Sequence, residues 1–127
     1  MSDILVVDDE LPIQDLLTML CGREKIPYRI AVNGHRALAL ARESWPAAVL
    51  LDMGLPEPLD GWTTWARLEE LAAGRPLRVI LFTSMDMSPA EETEFAARGG
   101  RAVIGKPPDT RQLVQWLRDL LAEAPVE

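Results

Sequence analysis

Cysteine is almost missing from this chain of 127 residues: Cys21 stands alone, so no disulfide can form within it. A single thiol in an apolar stretch reads as a small packing residue rather than a reactive group, and a reducing cytoplasm suits it. His35 is the only histidine. Set in a loop between Gly34 and Arg36, it reads as a surface residue rather than a phosphohistidine. No apolar run approaches the length of a membrane span. The acidic start Met1-Ser2-Asp3 does not resemble a secretory signal. Internal repeats, low-complexity segments and linkers are absent from the sequence. Positive charge is also short, with 13 basic against 20 acidic residues and a net charge of −7. An acidic surface repels phosphate backbones, so no direct nucleic-acid binding is expected, whereas a magnesium ion suits that balance. Without a basic groove, the four tryptophans read mostly as helix-stripe core and not as a stacking platform.

What is present is enough for one globular domain with its own core. We expect that domain over residues 1–122 and a short tail over 123–127. Ile4-Leu5-Val6-Val7, Ala47-Ala48-Val49-Leu50-Leu51, Arg78-Val79-Ile80-Leu81-Phe82 and the shorter Ala102-Val103-Ile104 are apolar without alternation. Such runs read as parallel strands buried on both faces. Tyr28-Arg29-Ile30-Ala31-Val32 alternates more and reads as an edge strand. Helical spacing fills the gaps. Ile13, Leu16, Leu17 and Leu20 form one stripe behind Pro12, and Ala37, Leu40 and Ala41 a second. Trp62, Trp65, Leu68 and Ala72 form a third, closed by Gly74 and Pro76. A weaker helix runs from Ala90 to Arg98, and Leu113, Trp116, Leu117 and Leu120 follow an N-cap at Asp109. Strict strand–helix alternation predicts an α/β fold, a parallel sheet with helices on both faces. Ligands in such folds sit at the carboxyl ends of the strands.

Those ends carry the chemistry. The first strand ends at Asp8-Asp9, the third at Asp52, the fourth at Thr83 and the fifth at Lys106. Three carboxylates brought together repel and call for a cation, and an oxygen-only set suits Mg²⁺. A carboxylate can attack phosphorus, a lysine can hold a phosphoryl oxygen, and a threonine hydroxyl can donate to another. Each residue also has a plainer reading. Asp8, Asp9 and Glu10 could cap the first helix, and Asp52 could open a turn before Gly54 and Pro56. Thr83-Ser84 could be a strand-end turn, and Lys106 before Pro107 a solvated loop residue. Four such coincidences at one sheet edge favour the phosphoryl-transfer reading.

With these residues in place the sequence resembles the receiver domains of two-component signalling. The likeness rests on Ile4 to Glu10, Val49 to Pro56, Asp60-Gly61, Phe82-Thr83-Ser84 and Gly105-Lys106-Pro107, with Asn33-Gly34 and Ala37-Leu38 added, and spans residues 3 to 121. It implies a doubly wound, flavodoxin-like five-stranded parallel sheet of order 2-1-3-4-5. It implies that Asp52 accepts a phosphoryl group from a sensor histidine kinase or phosphotransfer protein. Asp9 and Asp52 would hold Mg²⁺ directly, Asp8 through water and Gly54 through its backbone carbonyl. Thr83 and Lys106 would contact the phosphoryl group. A downstream protein would read the result, and the domain would switch rather than turn over substrate.

Three positions depart from the pattern. Val103 stands where an aromatic residue is usual. One extra residue, with Glu57-Pro58, separates Pro56 from Asp60-Gly61. Pro108 replaces a common aromatic. Two rival readings remain. One is a receiver-like docking module that needs no phosphorylation. The other is a haloacid-dehalogenase-like phosphatase, which wants a second aspartate two residues after the nucleophile, where this chain has Gly54.

Overall fold

The apolar runs fold as a parallel sheet, in a computed structural model that describes residues 3–83, 87–106 and 108–123. In chain order the elements are β1 (Ile4–Val7), α1 (Leu11–Glu24), β2 (Tyr28–Ala31), α2 (Gly34–Glu43), β3 (Ala48–Leu51), α3 (Gly61–Ala72), β4 (Val79–Thr83), α4 (Pro89–Ala97), β5 (Gly100–Gly105) and α5 (Thr110–Glu123). The strand order is β2-β1-β3-β4-β5, all pairs parallel. Every residue of β1, β3 and β4 is buried, as continuous apolar strands between two helix layers must be. β2 is an edge strand, as its alternation predicts.

The order is the one the resemblance implies, with β5 as the other edge, pairing with β4 alone; the apolar run of β5 by itself, read as buried on both faces, does not anticipate that edge position. Val103 is 42% exposed and Ile104 is buried. His35 is exposed as expected, but it lies in the first turn of α2 and not in a loop. The helix begins at Gly34 because the Asn33 side chain caps it, accepting from the Arg36 N–H at 2.8 Å. α5 runs to Glu123. The remaining tail positions, 124–127, lie outside the described residues.

Side chains alternate across each strand, so the sheet separates two cores. Ile4 and Val6 meet Leu17, Leu20 and Cys21 of α1 and Leu113 and Leu117 of α5. Leu5 and Val7 face the side of Ala37, Trp65, Leu68 and Phe95. Cys21 is a core residue whose thiol burial pushes up to about 11. Of the tryptophans, Trp65 alone is fully buried; Trp62 and Trp116 are half-buried on helices. Trp45 lies between α2 and β3, and its indole N–H donates to the Pro76 carbonyl.

α4 has one buried residue, Phe95. The Phe95 ring meets Trp65 edge-on at 5.5 Å, and Trp65 stacks on Trp62 at 5.7 Å. Arg98 lies over the Trp65 ring at 4.1 Å and holds Glu69 of α3 at 2.6 Å. A Cβ at Gly100 would fall 2.1 Å from the Phe95 ring, so only glycine lets β5 start there. Where β1 begins, Arg29 of β2 binds Asp3 and donates to the carbonyls of Leu40 and Ser44 at 2.6 and 2.8 Å. Among the described residues no helix is long and apolar enough to cross a membrane.

Candidate functional site

Strand register assembles the site. Val7 of β1 is paired with Leu51 of β3, and the Asp52 N–H continues the ladder to the Val7 carbonyl at 3.0 Å. Asp8 and Asp52 therefore leave neighbouring strands side by side. Thr83 is paired with Gly105, and the Lys106 N–H donates to the Thr83 carbonyl at 3.2 Å. The same register places Lys106 just past the end of β4. Gly61 lets the loop after β3 fold back, since a Cβ there would lie 2.8 Å from the Asp52 carbonyl oxygen. Asp60 then caps α3, accepting from the Thr63 N–H at 2.8 Å.

Asp8 is 1% exposed, Asp52 4% and Thr83 3%. Burial of three polar side chains at one sheet end is costly unless each is compensated. Asp52 Oδ1 accepts from the Gly54 N–H at 2.9 Å, and Asp8 Oδ1 accepts from the Glu10 N–H at 2.9 Å. Lys106 Nζ lies 2.6 Å from Glu10 Oε1, 2.9 Å from Asp8 Oδ2 and 3.4 Å from Asp52 Oδ2. The ammonium lies over the Phe82 ring, 5.2 Å from its centroid. Burial raises the Asp8 carboxyl above its usual range, against the lowering pull of Lys106. Asp52 is raised by burial and by the Asp8 charge, while the Gly54 N–H and Lys106 oppose the rise. Burial alone would lower the Lys106 ammonium, but its contacts with Glu10 and Asp8 and the charges of Asp52 and Asp8 raise it to about 12.

The structure thus brings together Asp8, Asp52 and Lys106, with Thr83 ending the adjacent strand. Gly54 is beside Asp52, joined to it through its N–H. Asp9 is exposed and stands outside the carboxylate group, which is Asp8, Glu10 and Asp52, their oxygens within 4.8 Å of one another. Ser84 and Pro107 lie outside the described residues.

Glu10 is the residue the sequence reading passes over as a possible helix cap. A local signal was available in Glu10-Leu11-Pro12. Glu10 occupies the N-cap of α1 but makes no side-chain cap bond. Pro12 has no N–H to offer, and the Ile13 N–H is taken by the Glu10 carbonyl at 3.1 Å. The carboxylate is left to reach elsewhere.

A divalent cation fits this donor set. The ligands are hard oxygens, and Asp8 Oδ2, although close to the lysine, has no hydrogen-bond partner in acceptable geometry. A buried carboxylate oxygen with an unused electron pair, beside a second carboxylate, is a ready ligand for Mg²⁺.

Comparison with known proteins agrees with this geometry. Residues 4–118 match the family model described as the response regulator receiver domain. The transcriptional regulatory protein SrrA of Staphylococcus aureus is 36% identical over 123 residues, covering 94% of this chain and 48% of that protein. The chain therefore spans about half the length of this curated relative. Among solved structures, a CheY-like response regulator receiver domain protein from Methanospirillum hungatei superposes with a TM-score of 0.83 at 25% identity, covering 97% of this chain and 95% of that one. The N-terminal domain of a response regulator receiver protein from Methanoculleus marisnigri does so with a TM-score of 0.75 at 31% identity, covering 97% and 98%.

Proposed function

The chain belongs to the response regulator receiver domain family of two-component signalling, and from that premise we propose that it is a phospho-accepting switch with Asp52 as the acceptor. The observation that carries this reading is the strand register that sets a buried Asp52 carboxylate beside Asp8 and 3.4 Å from the Lys106 ammonium. An Asp52 carboxylate oxygen attacks the phosphorus of a phosphohistidine on a histidine kinase or phosphotransfer protein. The O–P bond forms as the P–N bond breaks. The electron pair goes to the ring nitrogen, and the ring, protonated on its other nitrogen, leaves as neutral imidazole. Lys106 supplies a cation for one phosphoryl oxygen and Thr83 a hydroxyl donor for another. Mg²⁺, held by Asp8, Asp52, Asp9 and the Gly54 carbonyl, would offset the charge that builds during transfer. The acyl phosphate then alters the surface that a downstream protein reads.

The retained acidic set supports this reading over a phosphorylation-independent docking module. The absence of a second aspartate at Gly54 disfavours a phosphatase. With Mg²⁺ and acetyl phosphate, intact mass should rise by one phosphoryl group in the wild type and stay unchanged in Asp52→Asn. Equal labelling of both would overturn the assignment, and steady release of phosphate from monoesters would favour the enzyme.

A further inference from the structure

Lys106 is held more closely by Glu10 than by the acceptor. Its side chain is 7% exposed, yet the nearest anion is the half-exposed Glu10 carboxylate at 2.6 Å, with Asp52 Oδ2 at 3.4 Å. Only the Glu10 contact of the three is a well-formed hydrogen bond. The two residues are 96 positions apart, so the contact is a product of the fold and not of local sequence.

Glu10 is built for this reach. Its N–H is fixed to Asp8 Oδ1 and its carbonyl to the Ile13 N–H, and Pro12 removes the remaining donor its carboxylate could cap. Backbone and side chain close a ring that runs Asp8, Glu10, Lys106 and back to Asp8. A phosphoryl group on Asp52 brings oxygens that need the same ammonium. Lys106 cannot keep a close contact with Glu10 and also serve them fully, because its well-formed hydrogen bond goes to Glu10 at 2.6 Å while Asp52 Oδ2 stands off at 3.4 Å.

We infer that Glu10 is a positioning residue, which draws the Lys106 ammonium to the rim of the site and must yield it when Asp52 receives a phosphoryl group. Glu10 also adds negative charge where an anionic phosphodonor enters, and like charges at that range oppose approach. It therefore slows phosphoryl acceptance and keeps the resting site closed. This inference rests on Asp52 being the acceptor, but the lysine contact itself does not.

Two measurements on the full chain test it. In chelator-treated protein, the side-chain ¹⁵N ammonium resonance of Lys106, assigned with Lys106→Arg, should move in Glu10→Gln. Glu10→Asp, one methylene shorter, should move it too. At saturating Mg²⁺, Glu10→Gln should take label from acetyl phosphate severalfold faster than the wild type. An unmoved resonance in Glu10→Gln, or a labelling rate at or below the wild type's, would overturn the inference. Failure of the wild type to label at all would instead overturn the acceptor assignment, leaving the resonance to decide the Glu10 contact.

Discussion

Asp8 and Asp52 hold their protons more tightly than free aspartates, chiefly because they are buried. The folded chain then binds more protons than the unfolded chain between the unfolded value of 3.8 and the raised folded values. Stability contributed by this pair is present below 3.8 and is lost as pH rises through the folded values. At neutral pH both charges weigh against the fold. In chelator-treated buffer, Asp52→Asn should melt above the wild type at neutral pH, and the gap should shrink as pH falls toward 3.8. A gap independent of pH would contradict the burial argument. Mg²⁺ should reverse the order, raising the wild-type melting temperature more than that of Asp52→Asn or Asp9→Asn. At this scale Asp8, Asp52, Thr83 and Lys106 were legible because each follows an apolar run, and parallel strands deliver their ends to one place. For Glu10 the local sequence hints at a free carboxylate but not at its partner, which is fixed by the pairing of β4 with β5 and by the placing of α1.

Among the helices, α4 is the least anchored to the core, with Phe95 as its only buried residue. Its C-cap residue Arg98 ties it further to α3 through Trp62, Trp65 and Glu69. Phe95→Ala should cost about 3–5 kcal/mol in denaturant unfolding. Arg98→Ala should cost only about 1 kcal/mol, and its larger effect should be faster amide exchange confined to α4. When a phosphoryl group on Asp52 draws the Thr83 hydroxyl toward it, α4 should be the helix that follows, because it is the most weakly anchored. Val103 stands where the family has an aromatic, is stiff at χ1 and is already 42% exposed, so it has no buried and exposed positions to exchange. On adding beryllofluoride, a phosphoryl mimic, amide shifts should appear over residues 87–95. Thr83→Ala should abolish them and Val103→Ala should leave them. The opposite pattern would place the signal on β5.

Strand and helix positions were readable because burial on two faces and burial on one stripe leave different periods in the sequence. The edge position of the fifth strand follows from the family's strand order and not from its own pattern, because an apolar run as short as Ala102 to Ile104 cannot say whether a further strand covers it. The sequence reading passes over the α4 cap, although Ser88-Pro89-Ala90-Glu91 carries its signature: the Ser88 hydroxyl and the Glu91 carboxylate each accept the other's backbone N–H.

For the whole molecule, the decisive feature is that the sheet keeps two cores apart. Leu17 and Leu113 belong to one, Leu68 and Phe95 to the other. Leu17→Ala and Leu68→Ala should each cost roughly 2–5 kcal/mol. With no shared neighbours, their costs should sum to within about 0.5 kcal/mol in the double mutant. Trp65 and Phe95 touch, so their double mutant should depart from the sum. Substitutions can thus accumulate on the α1 and α5 side with little regard for what has drifted around α3 and α4. The edge of the sheet that gathers Asp8, Asp52 and Lys106 is the seam where the two mutational histories have to agree.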